Sequence, residues 1–245
     1  MVVAERLRLV VPQSVRTAVN VTRYAGASVL CPLCGWEFRK FKTLRRAYPL
    51  PRPNAVCPRC SARERHRAVW LYLNESTDLL ESPAALLHVA PEAIIQRRLS
   101  ALPALRYVAG DLHPQSRDTV RLDVTSIPFD DESFDYVLCN HVLEHIPDDG
   151  RAMCELYRVL RPEGRAIMQQ PIDWTRAETY EDSSITTPEG RQRAFHQDDH
   201  VRIYGRDFDD RLRAAGFTVS LARFEDARYG LATPVVVHDC GKSAR

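Results

Sequence analysis

The chain has 245 residues, a length that suits one sizeable α/β domain, alone or with a small appendage. Its 34 lysines and arginines nearly balance 32 aspartates and glutamates, and the formal net charge of +2 excludes a global electrostatic signature for nucleic acid or an anionic membrane. No apolar run approaches the roughly 18 residues that a membrane span needs. The charged N-terminal stretch lacks a clear signal-peptide cleavage site, so we expect a cytoplasmic protein.

The first segment, residues 1–27, contains "MVVAERLRLVVPQSVRTAVNVTRY". The spacing of its arginines and valines predicts an amphipathic helix. Packing of that helix on its own domain is favoured over contact with a membrane surface or another subunit, although both alternatives remain open.

Four of the seven cysteines form two CxxC pairs, "CPLC" and "CPRC". Each CxxC turn directs two sulfurs to one point, so Cys31, Cys34, Cys57 and Cys60 predict a tetrahedral structural Zn²⁺ site of the zinc-ribbon type. Redox-active or disulfide-bonded cysteines are the less favoured alternative in a reducing compartment. We assign residues 28–82 to a zinc-ribbon module and a linking helix that begins after Ser61.

Basic residues are concentrated between Arg39 and Arg67, around the second CxxC pair. A solvated face of the small module explains this concentration most simply, and contact with a polyanion or a nucleotide is the alternative.

From residue 84 onward, short apolar segments alternate with helical patterns, which indicates a parallel sheet covered on both faces. Pro91 opens the first of these helices, whereas Pro162 and Gly164 stop a later one. The two final strands have no helix between them, which predicts an antiparallel hairpin. In chain order, the predicted elements are strand "AALLHVA", helix "PEAIIQRRLSAL", strands "RYVAGDL", "TVRLDVTSI" and "FDYVLCN", helix "DGRAMCELYRVLRP", strand "GRAIMQQP", helix "GRDFDDRLRAAGF", and strands "TVSLARF" and "TPVVVHD".

The stretch "FDYVLCNHVLEHIPDDGRAMCELYRVLRPEGRAIM" resembles the central segment of the type 11 group of class I S-adenosylmethionine-dependent methyltransferases, and the resemblance is most specific at "FDDESFDYV" and "ELYRVLRPEG". The resemblance covers about residues 84–240, and we assign residues 83–245 to this domain. It implies a seven-stranded, doubly wound, Rossmann-like sheet with an antiparallel last strand. It also implies S-adenosylmethionine bound across the carboxyl ends of the first strands.

The first cofactor motif departs from this family, because "HVAPE" has His88 where an acidic residue is usual and contains no glycine. S-adenosylmethionine has no pyrophosphate, so a tighter loop can still serve it, with Glu92 accepting from the ligand's ammonium group. Asp111 is expected to accept from the ribose hydroxyls, and Asp123, with the backbone of Val124, from the adenine amino group. The expected cofactor-binding residues are His88, Ala90, Glu92, Asp111, Leu112, Asp123, Val124 and Asn140. The alternative is a decayed site in a non-catalytic, zinc-stabilised interaction protein.

The candidate catalytic residues are His141, Glu144 and His145, in the loop after the fourth strand, together with His200. A histidine beside a carboxylate is a plausible general base near neutral pH. His200 lies in a long insertion, residues 171–204, which we interpret as a substrate lid. A packed, hydrogen-bonded turn is the simpler explanation for "LEH", and a second metal held by His196 and His200 is the weaker idea.

The methyl acceptor is predicted to be a hydroxyl on a small polar metabolite or glycan. The alternative is an RNA methyltransferase that uses the zinc module for recognition. Three features argue against that alternative. The overall charge is nearly neutral, stacking aromatics are not interleaved with the basic residues, and the sequence "CNHV" stands where an "NPP"-like motif would be expected. The oligomeric state remains open.

Overall fold

The computed structural model describes residues 12–45 and 50–244. These residues form two compact units, one containing the described residues up to Leu71 with Arg223–Val235, and the other containing Tyr72–Ala222 with the residues from Val236 onward. The helices are α1 Gln13–Arg23, α2 Glu64–Ser76, α3 Ala93–Leu99, α4 Asp149–Val159, α5 Pro188–Phe195 and α6 Phe208–Ala214. The strands are β1 Val29–Cys31, β2 Trp36–Phe38, β3 Lys42–Leu44, β4 Arg52–Val56, β5 Ala84–Val89, β6 Leu105–Asp111, β7 Thr119–Arg121, β8 Phe134–Asn140, β9 Leu160–Gln169, β10 Tyr180–Glu181, β11 Arg202–Ile203, β12 Thr218–Asp226 and β13 Leu231–Gly241.

A seven-stranded sheet forms the centre of the second unit, in the order β12-β13-β9-β8-β5-β6-β7. The pairs β5–β6, β5–β8, β6–β7 and β8–β9 are parallel, whereas β13 runs antiparallel to β9. The final two strands are neighbours, with the Thr218 hydroxyl donating to the Gly241 carbonyl. The sheet predicted from the sequence, Rossmann-like with an antiparallel last strand, is therefore confirmed.

Apolar side chains from the strands and α4 form one core. β5 and β8 are buried along most of their length, as expected for strands covered on both faces. On α4, Ala152, Met153, Leu156 and Val159 are buried, the spacing of one helical face. The Asp148 carboxylate caps this helix by accepting from the Arg151 amide, which fixes where the helix begins after the β8 loop.

Several boundaries differ from the sequence prediction. Helix α4 ends at Val159 and β9 begins at Leu160, so "LRPEG" is extended rather than helical. Pro162 lacks an amide donor and disfavours helical backbone at the preceding residue. Helix α2 begins at Glu64 rather than next to Ser61, which has a positive φ of 64°. Helix α3 begins at Ala93.

The lid insertion, residues 171–204, contains little regular structure. Strands β10 and β11 pair antiparallel, with Tyr180 opposite Ile203. Between them, the Thr187 side chain caps α5, and His196 ends that helix in a left-handed conformation with φ 70°. A short two-stranded ribbon thus brackets the part of this segment between residues 180 and 203.

The first unit contains two small sheets, β1–β2 and β3–β4. Arg67 is fully buried in it and donates to the carbonyls of Ala55, Ala62, Tyr229 and Gly230. Its guanidinium also lies 4.3 Å from the centre of the Phe41 ring. One cation therefore donates to four backbone carbonyls at once.

At the N-terminal end of this unit, α1 has no buried side chain. Residues 1–11 of the predicted segment 1–27, and Arg46 of the basic run, lie outside the described residues. Within the described ranges, no helix has both the length and the apolar character that crossing a membrane requires.

Candidate functional site

The carboxyl ends of the parallel strands lie at one edge of the large sheet. Val89 of β5 pairs with Gly110 of β6 on one side and with Cys139 of β8 on the other. Ala90 directly follows β5, whereas Asp111 and Asn140 are the last residues of β6 and β8. The sheet therefore brings together the strand ends from which the expected cofactor residues come.

The glycine-free loop after β5 has a backbone conformation that usually favours glycine. Ala90 has φ 46°, and its amide donates to the Gly110 carbonyl at 2.7 Å. Gly110 itself packs against Leu122, since a Cβ added there would lie 2.6 Å from Leu122 Cδ1. The chain thus makes the turn after β5 with an alanine in the left-handed region, where glycine is usual.

His88 is buried beneath this loop. Its Nδ1 lies 2.9 Å from the Tyr107 hydroxyl, and burial lowers the pKa of His88 to about 4. The side chain is therefore neutral at pH 7. Its Nε2 is buried and has no hydrogen-bond partner in the part of the chain that the structure describes. His88 thus differs in charge from the acidic residue usual at this position.

The two candidate carboxylates at the strand ends are accessible. Asp111 is half-buried and accepts from the His113 amide at 2.8 Å. Asp123 is exposed and accepts from the amide and hydroxyl of Thr125, which lower the pKa of its carboxyl group. Leu112 is 47% exposed, whereas Val124 is buried. Glu92 lies at the N-terminus of α3, where its charge is compatible with the helix dipole.

Asn140, the last residue of β8, contributes a buried amide to the site. Its Oδ1 and Nδ2 have no hydrogen-bond partner among the described residues. Gln169, its neighbour on β9, likewise has an unsatisfied Oε1. Because unsatisfied buried polar groups are costly, these amides indicate a polar ligand at the strand ends. Sequence analysis missed Gln169, although a glutamine that ends an apolar strand in "AIMQQ" was an available signal.

The four candidate catalytic residues are brought together. His141 Nδ1 lies 3.2 Å from Glu144 Oε1, and the His145 and His200 rings meet edge-to-face with their centres 4.8 Å apart. Glu144, His145 and His200 each present a ligand atom within 4.8 Å of the others. His141 has a positive φ of 53°, and its backbone amide donates to the backbone carbonyl of Gln169. Residues far apart in sequence therefore form one cluster after β8.

Arg202 holds the lid against the loop after β8. Its guanidinium is buried and donates to the carbonyls of Leu143, Ile146 and Pro147, and to the Glu181 carboxylate. The loop and the lid are also joined directly by the Val201 amide, which donates to the Glu144 carbonyl. These bonds place His200 beside Glu144 and His145.

The arrangement of His196 and His200 on one helical face, which the sequence left as the weaker possibility for a second metal, does not occur. His196 is the left-handed residue that ends α5, so the two histidines do not share a helical face. The metal-compatible group that contains His200 includes Glu144 and His145 instead.

The four cysteines of the first unit converge. Cys31 and Cys60 sulfurs lie 3.6 Å apart, and those of Cys34 and Cys57 lie 3.8 Å apart. A tetrahedron of thiolates about 2.3 Å from Zn²⁺ has edges of about 3.8 Å, so the donor set fits zinc. Each CxxC turn ends with a residue of positive φ, Gly35 at 67° and Ser61 at 64°.

A cleft of about 480 Å³ lies along the lid of the second unit. Its lining includes Asp182, Arg191 and Arg202, together with Pro147 and Val201. Val201 directly follows His200 in the chain. The cleft has charged walls, which suit a polar molecule better than an apolar one.

Residues 87–168 match a family model described as a methyltransferase domain. An uncharacterized methyltransferase from Mycobacterium sp. strain KMS is 43% identical over 53 residues, which are 22% of this chain and 21% of that protein. The chain spans about a fifth of the length of the curated relatives it matches.

Two solved structures share the fold. The 1,6-didemethyltoxoflavin-N1-methyltransferase of Burkholderia thailandensis, with bound 1,6-didemethyltoxoflavin and S-adenosylhomocysteine, aligns with a TM-score of 0.51 and 20% identity, covering 72% of this chain and 76% of that chain. The (4+2)-cyclase SpnF aligns with a TM-score of 0.55 and 16% identity, covering 75% and 84%. These likenesses show the fold alone, because an N-methyltransferase and a cyclase both have it.

Replacing His88 with asparagine is expected to reduce the acid sensitivity of the fold. The unfolded chain protonates this histidine below about pH 6.5, whereas the folded protein resists protonation until about pH 4. Stability from the buried neutral form is thus present above pH 6.5 and falls with pH until about pH 4. Between pH 7.5 and 5, the free energy of unfolding should fall by roughly 2 kcal/mol more in the wild type than in His88→Asn. Urea titrations at both pH values measure this difference, and equal losses would show that His88 is not buried and neutral.

Proposed function

We propose that this protein is an S-adenosylmethionine-dependent methyltransferase that methylates a hydroxyl oxygen of a small polar metabolite or glycan. The cluster of His141, Glu144, His145 and His200 after β8 is the observation that carries this proposal. It supplies groups for proton transfer next to the strand ends at which open α/β sheets bind their ligands. The matched methyltransferase domain and the charged cleft along the lid support the cofactor and a polar acceptor, respectively.

The residues at the strand ends fit S-adenosylmethionine. In this proposal, Asp111 accepts from the ribose hydroxyls, and Asp123 with the Val124 backbone accepts from the adenine amino group. Glu92 faces the ammonium group from the start of α3. The unsatisfied amide of Asn140 and Nε2 of His88 supply further polar contacts, as buried groups without protein partners should.

His141 is the proposed general base. Its side chain is 25% exposed, and Glu144 Oε1 lies 3.2 Å from Nδ1. In the loaded enzyme, where catalytic hydrogen bonds shorten and align, Glu144 would accept from Nδ1 and so leave Nε2 for the acceptor. When bound, S-adenosylmethionine would supply a methyl group activated by its sulfonium, with the neutral thioether as leaving group. His141 takes the hydroxyl proton as the acceptor oxygen forms its bond to carbon, and the buried Glu144 carboxylate stabilises the resulting imidazolium.

The cysteine cluster is proposed to hold a structural Zn²⁺ that stabilises the first unit. Four protein thiolates leave no open coordination position, which distinguishes a structural site from a catalytic one.

RNA methylation is the second candidate function. The observation that favours it is Trp36, which is 43% exposed and has the Arg59 guanidinium 4.5 Å from its ring centre. An exposed aromatic ring beside an arginine can stack on an unpaired base. If this function is correct, charge reversal at Arg59 should weaken RNA binding, and binding should fall steeply with salt.

Calorimetric titration of the zinc-replete protein with S-adenosylhomocysteine tests the cofactor assignment. Saturable binding is expected, and Asp111→Ala should weaken it by about ten- to a hundredfold, because hydrogen bonds to a charged group contribute roughly 1.5–3 kcal/mol. Asp118→Ala, which changes an exposed aspartate between β6 and β7, is the matched control and should bind like the wild type. Absence of binding to the wild type would instead favour a non-catalytic interaction protein.

The role of His141 is tested by His141→Asn, since asparagine tolerates the positive φ at this position. Loss of the base should lower kcat by about a hundredfold or more and leave the affinity for S-adenosylhomocysteine unchanged. Release of S-adenosylhomocysteine in the presence of a panel of sugars and hydroxylated metabolites provides the assay. The exposed His113→Asn is the control. A normal kcat in the variant would remove His141 from the mechanism.

Zinc analysis of two cysteine variants tests the metal in the first unit. Cys57→Ser should lose the zinc and make this unit sensitive to proteolysis, because metal binding and folding are coupled in small zinc modules. Cys154→Ser, at an exposed cysteine outside the cluster, should keep both the zinc and the protease resistance. Equal zinc contents in the two variants would show that the cluster holds no zinc.

A further inference from the structure

Glu144, His145 and His200 form a second group of side chains with metal-ligand chemistry. Their candidate ligand atoms all lie within 4.8 Å of one another. None of these residues belongs to the cysteine cluster, and all three lie in the second unit. Two come from the turn Leu143–His145, and the third comes from the lid.

Glu144 is the unusual member of this group. Its side chain is only 1% exposed, and neither carboxylate oxygen accepts a hydrogen bond within the described ranges. Its near neighbour His141 approaches one oxygen at 3.2 Å but makes no hydrogen bond to it with good geometry. A buried carboxylate without donors is costly unless a cation compensates its charge.

The donor set identifies the class of cation. Two imidazoles and one carboxylate bind first-row divalent transition metals and leave coordination positions open, as in catalytic His₂Glu zinc sites and in non-haem iron sites. With metal–ligand bonds of about 2.0–2.2 Å, ligand atoms lie about 3–3.5 Å apart. Small side-chain rotations would bring the three residues to this spacing.

The surroundings provide the support that metal-bound histidines usually have. His145 Nδ1 lies 3.4 Å from Asp199 Oδ2, the carboxylate–histidine arrangement that orients a ligand and leaves its Nε2 for the metal. The backbone on both sides is fixed, because the Val201 amide donates to the Glu144 carbonyl and Arg202 donates to the Leu143 carbonyl. The three ligands are therefore held by the loop and by the lid.

We propose that Glu144, His145 and His200 bind a divalent transition-metal ion that orients the acceptor oxygen beside His141. The role in orientation rests on the proposed methyltransferase function, whereas the binding of the metal does not. An open position on the ion would receive the acceptor hydroxyl and favour its deprotonation, and His141 would take the proton. Such a site selects acceptors with hydroxyl groups able to reach the ion.

Cobalt(II) titration of the zinc-replete full-length protein tests this site. The protein is first dialysed against a weak chelator, and Co²⁺ is then added while calorimetry and visible absorption are recorded. One Co²⁺ per chain should bind, with the weak absorption of nitrogen and oxygen ligands. His200→Gln and His145→Gln should each weaken binding at least tenfold. His196→Asn, which changes the lid histidine outside the group and suits its left-handed backbone, should bind like the wild type.

Several outcomes would overturn the site. One is that the wild type binds no Co²⁺, and another is that His196→Asn loses as much Co²⁺ affinity as His200→Gln. Intense thiolate absorption that accounts for all the bound cobalt would place the ion at the cysteines instead. Glu144→Gln provides a further variant if His200→Gln does not fold, and thermal melting identifies such a failure.

Titration with S-adenosylhomocysteine on the same samples separates the two proposals. Cofactor binding without Co²⁺ binding refutes only the metal site, and Co²⁺ binding without cofactor binding refutes only the methyltransferase function.

Discussion

The candidate site depends on the buried guanidinium of Arg202. It donates to Glu181 of the lid and to three carbonyls of the loop after β8, which lies more than fifty residues before Arg202 in the chain, so one cation joins the lid to this loop. A guanidinium has five donors in a planar fork and cannot lose its charge, and therefore satisfies several buried carbonyls at once. Because His200 is two residues away, the same contacts place a lid histidine beside Glu144 and His145. The lid is thus part of the site.

The parallel sheet imposes a second constraint. Its strands deliver their following loops to one edge, where polar groups can converge only if a ligand or another polar group satisfies them. Asn140 and His88 are buried at this edge with unsatisfied atoms, while the core beneath is apolar. These costly unsatisfied polar groups lie where the proposed methyltransferase function places the cofactor. Ala90 in a left-handed conformation shows how a loop without glycine keeps the turn that a glycine usually makes.

The side chains of the candidate site say more about the possible reaction than the fold does. Structures with the same fold include an N-methyltransferase and a cyclase, so the sheet alone does not identify a reaction. The discriminating features are the acid–base groups after β8 and the charged cleft along the lid. The proposed roles of Glu144, His145 and His200 are proton transfer, metal binding or both, and the buried Glu144 carboxylate without donors among the described residues is the observation that motivates them.

The sequence by itself determined the order of strands and helices, the CxxC pairs and the strand-end carboxylates Asp111 and Asp123. These follow from local periodicity, short spacing and the alternation of a βαβ chain. It placed the end of α4 too late. It also left a shared helical face of His196 and His200 open as the weaker idea, since spacing along the chain cannot reveal the left-handed residue that ends α5. Only the tertiary structure brought His200 to Glu144, left the Asn140 amide and the Gln169 Oε1 without partners among the described residues, and buried Arg202 between lid and loop. Those contacts join distant segments, and their partners are fixed by the packing of the whole sheet and lid rather than by neighbours in sequence.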